Sequence, residues 1–419
     1  MTGTATHEQI TSLQPRWGGP LGRRELVTIL ALCLALNALA IDSMLPALDE
    51  IAAHYNLAYA NQQQWVIFAY ILGFGVPQLF AGPLSDRFGR KLILRVSFFF
   101  YILFGFACMF TPTFGTLLAA RLLQGASAAG VRVSATSIVR DLFKGRAMAR
   151  TMSLILTIFM IIPIIAPSIG QLVLWVADWR WTFGILGVIG LITWVWIELR
   201  LPETLGVENR RSLRPAVIAR GYWQVLTTPV TIGYILSSGI MFGALFSFIG
   251  SSEQIFSDVF DQETYFALWF AAISVALTLA NFINSRIVER FGMRRISHSA
   301  LFVFITVTAL NLLLCHFYGP RLMFFFPLFA ISFGCFGMIG ANFSALAMEP
   351  LGKIAGTGSA AYGFSTSTLS SLIGLFLAAR FDGTLGPLLW GNILIGIVAL
   401  SLTLITEKGR LFRDSQKPA

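Results

Sequence analysis

Long apolar stretches separated by short polar gaps dominate the chain. The stretches fall near 25–48, 63–84, 92–110, 114–139, 148–175, 181–199, 229–252, 264–286, 296–316, 321–347, 354–380 and 386–406. An α-helix needs about 20 apolar residues to cross the hydrocarbon core of a bilayer. The pattern therefore predicts an all-α membrane protein with twelve transmembrane helices. One long internal hydrophilic segment, about 200–228, splits them into two sets of six. The predicted organisation is a tail at 1–24, a six-helix bundle at 25–199, a central loop at 200–228, a second bundle at 229–406 and a tail at 407–419. The first apolar run follows Arg23-Arg24 and carries Asp42. It is too long for the apolar region of a signal peptide, about 7–15 residues, and reads as the first membrane helix.

Composition narrows the class. Of 419 residues, 56% are hydrophobic and only 12% charged, against about 25% charged in soluble proteins. A soluble enzyme and a disordered chain are both excluded. Twelve spans use roughly 240 residues, which leaves no room for a separate catalytic domain. The net charge of +10 first suggests nucleic acid, but its cations lie in short clusters between apolar runs rather than on one solvated face. Of the 30 lysines and arginines, 25 fall in gaps on one side of the predicted helices. Three (Arg180, Arg321 and Arg380) fall on the other, and Arg121 and Arg132 lie inside the fourth stretch. Positive charge stays in the cytoplasm, so this split predicts a multi-pass protein with both termini cytoplasmic. Cys33, Cys108, Cys315 and Cys335 all sit in apolar stretches without a CxxC pair, and the four histidines are scattered. Neither a disulfide framework nor a metal site is expected. No GxxxxGK[ST] loop occurs, so ATP hydrolysis is unsupported.

An internal repeat agrees with six plus six. Asp86-Arg87-Phe88-Gly89-Arg90-Lys91, between helices 2 and 3, recurs as Glu289-Arg290-Phe291-Gly292-Met293-Arg294, 203 residues later, between helices 8 and 9. In the first copy Gly89 permits a left-handed turn, and Asp86 and Arg90 are one helical turn apart.

The charges inside the membrane are the informative exceptions. A carboxylate at Asp42 costs several kcal/mol to ionise unless it is paired or wet, so it is either a proton-carrying site or half of a fixed ion pair. Arg121 is predicted at a depth within about a turn of Asp42 and is its expected partner. Separating such a pair would drive proton uptake. Arg132, three turns further toward the cytoplasm, either snorkels to the interface or touches substrate. Asn37 lies on a different face of helix 1 from Asp42 and suits an interhelical hydrogen bond; it is also a candidate substrate contact. Pro163, Pro167 and Gly170 make helix 5 a candidate hinge or gate. Tyr70, Phe242, Phe246, Trp269, Phe336, Tyr362 and Phe364 stand beside polar or small residues and are candidates to line a substrate cavity.

Together these residues resemble the major facilitator superfamily. Gly82-Pro-Leu-Ser-Asp86-Arg87-Phe-Gly89-Arg90-Lys91 is similar to its loop 2–3 signature. Arg121-Leu-Leu-Gln124-Gly125 resembles the helix-4 signature of its proton-coupled drug exporters. Pro163 to Gly170 resembles their helix-5 antiporter motif, without its usual early glycines. Ala40 to Leu48, Asp178-Trp179-Arg180, Leu201-Pro202-Glu203-Thr204-Leu205 and Ala355 to Ala360 look like the Bcr/CflA-like drug:proton antiporter branch.

The resemblance implies two halves that rock about a central site lined by helices 1, 4, 7 and 10. It implies a cytoplasmic gate made from Asp86, Arg87, Gly89, Arg90 and Asp141, and proton coupling by Asp42 with Arg121. The 203-residue offset maps Asp42 onto Leu245 and Arg121 onto Phe324, so proton chemistry is expected in the first half and an apolar, aromatic wall in the second. The expected function is proton-coupled multidrug efflux by alternating access in a bacterial inner membrane. The expected actor is a monomer, without enzymatic activity or cofactor, whose partners are a small-molecule substrate, protons and the lipid bilayer. Two alternatives remain: a dedicated exporter or importer of one metabolite, possibly anionic and bound by Arg132, and a transport-dead membrane sensor.

Overall fold

The computed structural model describes residues 21–412 except 60, 144, 207, 209, 211, 212 and 214, and omits the side chains of 145–147, 149, 353 and 355. Most of both predicted tails, and Arg16, Lys144, Arg211, Arg214, Arg413 and Lys417, lie outside the described residues. An apolar segment in lipid satisfies its backbone polar groups internally as helix, and the apolar stretches are each mostly helical. They are α1 (Arg23–Asp42), α2 in two pieces (Trp65–Gly75 and Gln78–Phe88), α3 (Arg90–Ala107), α4 (Phe114–Leu142), α5 (Gly145–Val176) and α6 (Arg180–Arg200). Then come α7 (Pro229–Gln254), α8 (Phe266–Phe291), α9 (Met293–Tyr318), α10 (Leu322–Met348), α11 (Ala355–Ala378) and α12 (Gly386–Thr406).

Among the described residues, length and composition qualify ten helices as spans, and the two pieces of α2, bent by 45°, make one more. The twelfth is α4. Its 29 residues extend about 43 Å, but Arg121, Gln124 and Arg132 make it the least lipid-like of the set.

Two differences from the sequence reading matter. The first span was expected to be helical to about residue 48, yet α1 stops at Asp42, and a short 3₁₀ turn (Leu45–Ala47) precedes a separate helix, Leu48–His54. Pro46 has no amide hydrogen to continue the ladder. The central loop also contains a helix, Pro215–Thr227. It buries Gly221 and Val225 and exposes Val217, Trp223 and Leu226. Hydropathy identifies spans, and a 13-residue amphipathic helix is too short to be one.

The chain packs as two units. Among the described residues, the first comprises 21–47 and 69–218 and the second 48–68 and 219–412. In the first, backbones approach closely at glycines. A Cβ on Gly125 of α4 would collide with the Tyr70 carbonyl of α2, and one on Gly73 of α2 with the Leu122 carbonyl of α4. A Cβ on Gly170 of α5 would strike the Ser43 carbonyl, just past the end of α1.

Gly89 joins α2 to α3 at φ +101°, a conformation costly for any residue with a side chain. Two orphan amides opening α3 are satisfied from a distance: Arg90 N donates to Glu203 Oε1 at 3.0 Å and Lys91 N to Oε2 at 3.2 Å. Gly292 repeats the turn between α8 and α9, at φ +81° and ψ 150° against ψ 153° at Gly89.

The second unit has an aromatic core. The Phe248 ring lies 4.5 Å from Phe329, 5.4 Å from Phe333 and 6.1 Å from Phe270, between centroids. Residues 48–68 are fastened within this unit. Ser371 Oγ donates to the Phe68 carbonyl at 3.0 Å, and Asn61 Nδ2 to the Phe381 carbonyl at 2.8 Å.

The α2–α4 crossing generates a prediction. Gly125→Ala forces two backbones apart and is expected to destabilise the detergent-solubilised protein by about 3 kcal/mol or more. Gly115→Ala, in the same helix but with open space around its Cα, is expected to be neutral or to stabilise by up to about 1 kcal/mol. Equal unfolding midpoints for the two variants would refute the close-approach account.

Candidate functional site

The first unit encloses a polar cluster centred on Arg121, whose side chain has no solvent exposure. α1 ends at Asp42, so its last carbonyls have no intrahelical donors. Arg121 Nη2 donates to one of them, Ala40 O, at 2.8 Å, and also contacts Met44 Sδ at 3.0 Å. Nη1 donates to Gln124 Oε1 at 2.7 Å, one turn along α4. The guanidinium lies over the Tyr70 ring at 4.4 Å and the Phe183 ring at 5.5 Å. The α2–α4 crossing places Tyr70 there. Its hydroxyl donates to Asn37 Oδ1 at 3.1 Å, the interhelical hydrogen bond expected of Asn37.

The expected Asp42–Arg121 ion pair is not formed. Asp42 is 4% exposed, and among the described residues its carboxylate makes no hydrogen bond or ion pair. The reason lies in α1. Because the helix breaks at Asp42, the carbonyl end of α1 is itself a partner for a cation, and the guanidinium takes that end. The hinge motif meets the same place, since Gly170 packs on Ser43, the residue after Asp42. α5 nevertheless runs as one helix through Pro163 and Pro167. Arg132 follows Arg121 by three turns on the same face but is exposed, with its guanidinium 5.5 Å from the Phe74 ring centroid.

The loop between α2 and α3 forms a second cluster at one end of the same unit. The Arg90 side chain is 6% exposed. It pairs with Asp86 one turn before it, with Asp141 at the end of α4 (Nε to Oδ2, 2.8 Å), and with Ser85 Oγ at 3.2 Å. Asp86, Arg90 and Asp141 are thus brought together, while Arg87 is exposed and outside the cluster. Lys91 and Arg95 continue the set on α3, with Arg95 bidentate to Glu198 at 2.8 Å for both bonds.

The aromatic candidates of the second unit separate into groups. Tyr362 donates to Ser238 Oγ at 3.1 Å and stands near the Gly340 carbonyl at 3.5 Å, and the Phe242 ring covers the same Gly340. Phe246 packs at Gly374. Phe364 is half-buried on α11. Trp269 and Phe336 do not join these. Trp269 stacks on Phe256 and meets Phe326 edge-on at 5.0 Å, and Phe336 is buried between Phe304 and Phe333.

Sequence reasoning passed over several residues. Gln124 was legible from its i+3 spacing to Arg121, and Glu203 only as part of a quoted motif. Gln254, which accepts from Gln64 and donates to Asn61 at 2.9 Å, gave no signal. Neither did Glu253, which is 5% exposed with one carboxylate oxygen lacking a partner among the described residues.

Comparison with known proteins agrees with this architecture. Residues 30–375 match the model of the Major Facilitator Superfamily. YdgK of Bacillus subtilis (strain 168), an uncharacterised transporter of that superfamily, is 30% identical over 359 residues, covering 84% of this chain and 89% of its own. The bicyclomycin resistance protein homolog of Haemophilus influenzae is 28% identical, covering 87% and 91%. The multidrug resistance protein MdtL of Escherichia coli O81 is 29% identical over 61% of this chain and 65% of its own.

Among solved structures, a bacterial homolog of the human lysosomal transporter Spinster superposes with TM-score 0.70 at 16% identity, covering 96% of this chain and 100% of that one. A D-xylose–proton symporter gives TM-score 0.70 at 13%, covering 93% and 97%. At such identities these two bear on the fold alone. The resistance-named relatives agree with the Bcr/CflA-like motifs, and the chain belongs to the Major Facilitator Superfamily of membrane transporters.

Proposed function

We propose that this transporter is a proton-coupled exporter of hydrophobic or amphipathic small molecules, acting as a monomer by alternating access in a bacterial inner membrane with both termini cytoplasmic. The observation that carries the reading is Asp42, a buried carboxylate at the broken end of a membrane helix, two residues after the carbonyl that Arg121 holds and one before the carbonyl on which Gly170 of α5 packs. A carboxylate in such a position exchanges a proton when its surroundings change. Arg121 acts through the helix end it holds, and Arg90 with Asp86 and Asp141 latches the cytoplasmic ends of α2, α3 and α4. The resistance-related names of two relatives support drug export as the direction. One proton crossing 100 mV provides about 2.3 kcal/mol, and one pH unit adds about 1.4 kcal/mol. Together they sustain a gradient of a few hundred-fold for a substrate whose movement carries no charge.

In proteoliposomes with an imposed pH gradient, Asp42→Asn is expected to abolish uphill transport of a hydrophobic probe. Folding is checked by an unchanged melting profile. Uphill transport at the wild-type rate would remove Asp42 from the coupling step.

Arg132 supports a second reading. An exposed guanidinium inside a membrane helix, aligned with Arg121 and lying over Phe74, suits an anionic group on a single metabolite. Arg132→Gln is then expected to lower transport of anionic probes about tenfold, roughly one lost charge-assisted contact, and to leave neutral ones unchanged. Equal losses for both classes would rule out charge recognition.

A further inference from the structure

Within the second unit, α8, α9 and α10 enclose a groove of about 760 Å³ on an outer face of the bundle. Its floor is built from small residues, among them Ala280 and Gly334, and its rim exposes Leu279, Ile283 and Val303. One wall is graded. On α9, Arg295, Ser299 and Val303 follow one another at single-turn spacing and all line the groove, so one face passes from cation to hydroxyl to hydrocarbon. Each step rises about 6 Å, and the stripe spans about 12 Å, close to the depth of one leaflet of a ~30 Å core.

Arg295 is exposed at the same end as Arg290 and Arg294, the end that the positive-inside rule assigns to the cytoplasm. The C-terminal segment reaches the mouth as well. Arg295 Nε donates to the Phe412 carbonyl at 3.2 Å, Phe412 N donates to His298 Nδ1 at 3.2 Å, and the Phe412 ring lines the groove. The first half offers no such gradient, because 203 residues earlier Leu92 stands for Arg295 and Val96 for Ser299.

We propose that this groove is a binding site for one anionic diacyl phospholipid of the inner leaflet. Its phosphate sits on Arg295, its ester region at Ser299 and an acyl chain along Val303 and the small-residue floor. The charge of the mouth selects the headgroup, and the concave apolar floor gives the tail a fixed seat that a flat helix face lacks. Phe412 makes the C-terminal segment part of the site.

The full-length protein in nanodiscs of equal phosphatidylglycerol and phosphatidylcholine, released for native mass spectrometry, tests this. The wild type is expected to retain one phosphatidylglycerol in preference to phosphatidylcholine. Arg295→Gln lowers that preference about fivefold, the effect of removing one cation near an anionic surface. Arg290→Gln, which removes a neighbouring cation outside the groove, leaves it unchanged. Ser299→Trp, filling the groove from an exposed position, lowers retention of both lipids. The assignment is overturned if Arg295→Gln and Arg290→Gln behave alike, if Ser299→Trp retains both lipids as the wild type does, or if the groove-filling variant breaks up a dimer instead. None of these readouts requires transport, so loss of the exporter reading leaves the test intact.

Discussion

A guanidinium buried inside a bundle of membrane helices needs electron density on every side, and meeting that need organises the first half of this transporter. Arg121 finds it in a carbonyl at the unfinished end of α1, in Gln124 on its own helix, in the Met44 sulfur, and in the faces of Tyr70 and Phe183. Three structural features depend on one another here. α1 has a free carbonyl to offer because it stops at Asp42. Tyr70 reaches the cation because Gly73 and Gly125 let α2 and α4 meet backbone to backbone. Asn37 then fixes the Tyr70 hydroxyl. Remove any one and the cation loses a partner it cannot replace from lipid.

The same arrangement brings the α5 motif to the end of α1, next to Asp42 in the chain. Gly170 rests on the carbonyl of Ser43, so displacement of α5 along this contact changes the space beside Asp42. Under the proposed reading, that contact is where helix movement and proton loading meet. Gly170 is needed for the close approach itself. Pro163 and Pro167 remove amide donors from the turns before it while α5 continues as a single helix.

What the sequence made legible follows from the period of its physics. Spans were readable because lipid demands about twenty apolar residues in a row. The charges inside the membrane were readable because so few exist; Asp86, Arg90 and Asp141, which the family resemblance grouped, do converge. Asp42 and Arg121 were expected as an ion pair, but the guanidinium meets α1 at the Ala40 carbonyl instead. An ion pair is a matter of side-chain charge, whereas the actual partner is a backbone carbonyl, which every residue carries and no sequence pattern marks. The role of Glu203 was invisible for a related reason, since it caps α3 from a segment 112 residues away in the chain. The break of α1 was written at Pro46, yet an apolar run reads the same whether its helix is whole or interrupted. Trp269 and Phe336 show the limit for aromatics. Burial against other rings and exposure to a cavity place the same residue types beside the same small neighbours.

The two halves share a backbone plan and differ in its chemistry. Gly89 and Gly292 adopt nearly the same left-handed turn, so the geometry of the α2–α3 corner recurs at α8–α9. The arginine after the turn does not recur, for Met293 stands where Arg90 stands. The cation moves one residue on, to Arg294, which bonds Glu407 at 2.8 Å; Tyr234 donates to the same carboxylate at 2.6 Å and approaches His298 at 3.2 Å. Arg90 bridges the ends of α2 and α4, whereas Arg294 ties α9 to the end of α12 and, through Glu349, to the end of α10. Each half thus fastens one end of its bundle with an arginine, but through different helices. The repeat preserves what the backbone must do at a tight corner and leaves each half free to choose which helices its charges hold together. That freedom lets one half place a carboxylate and a buried cation in the membrane where the repeat puts Leu245 and Phe324 in the other.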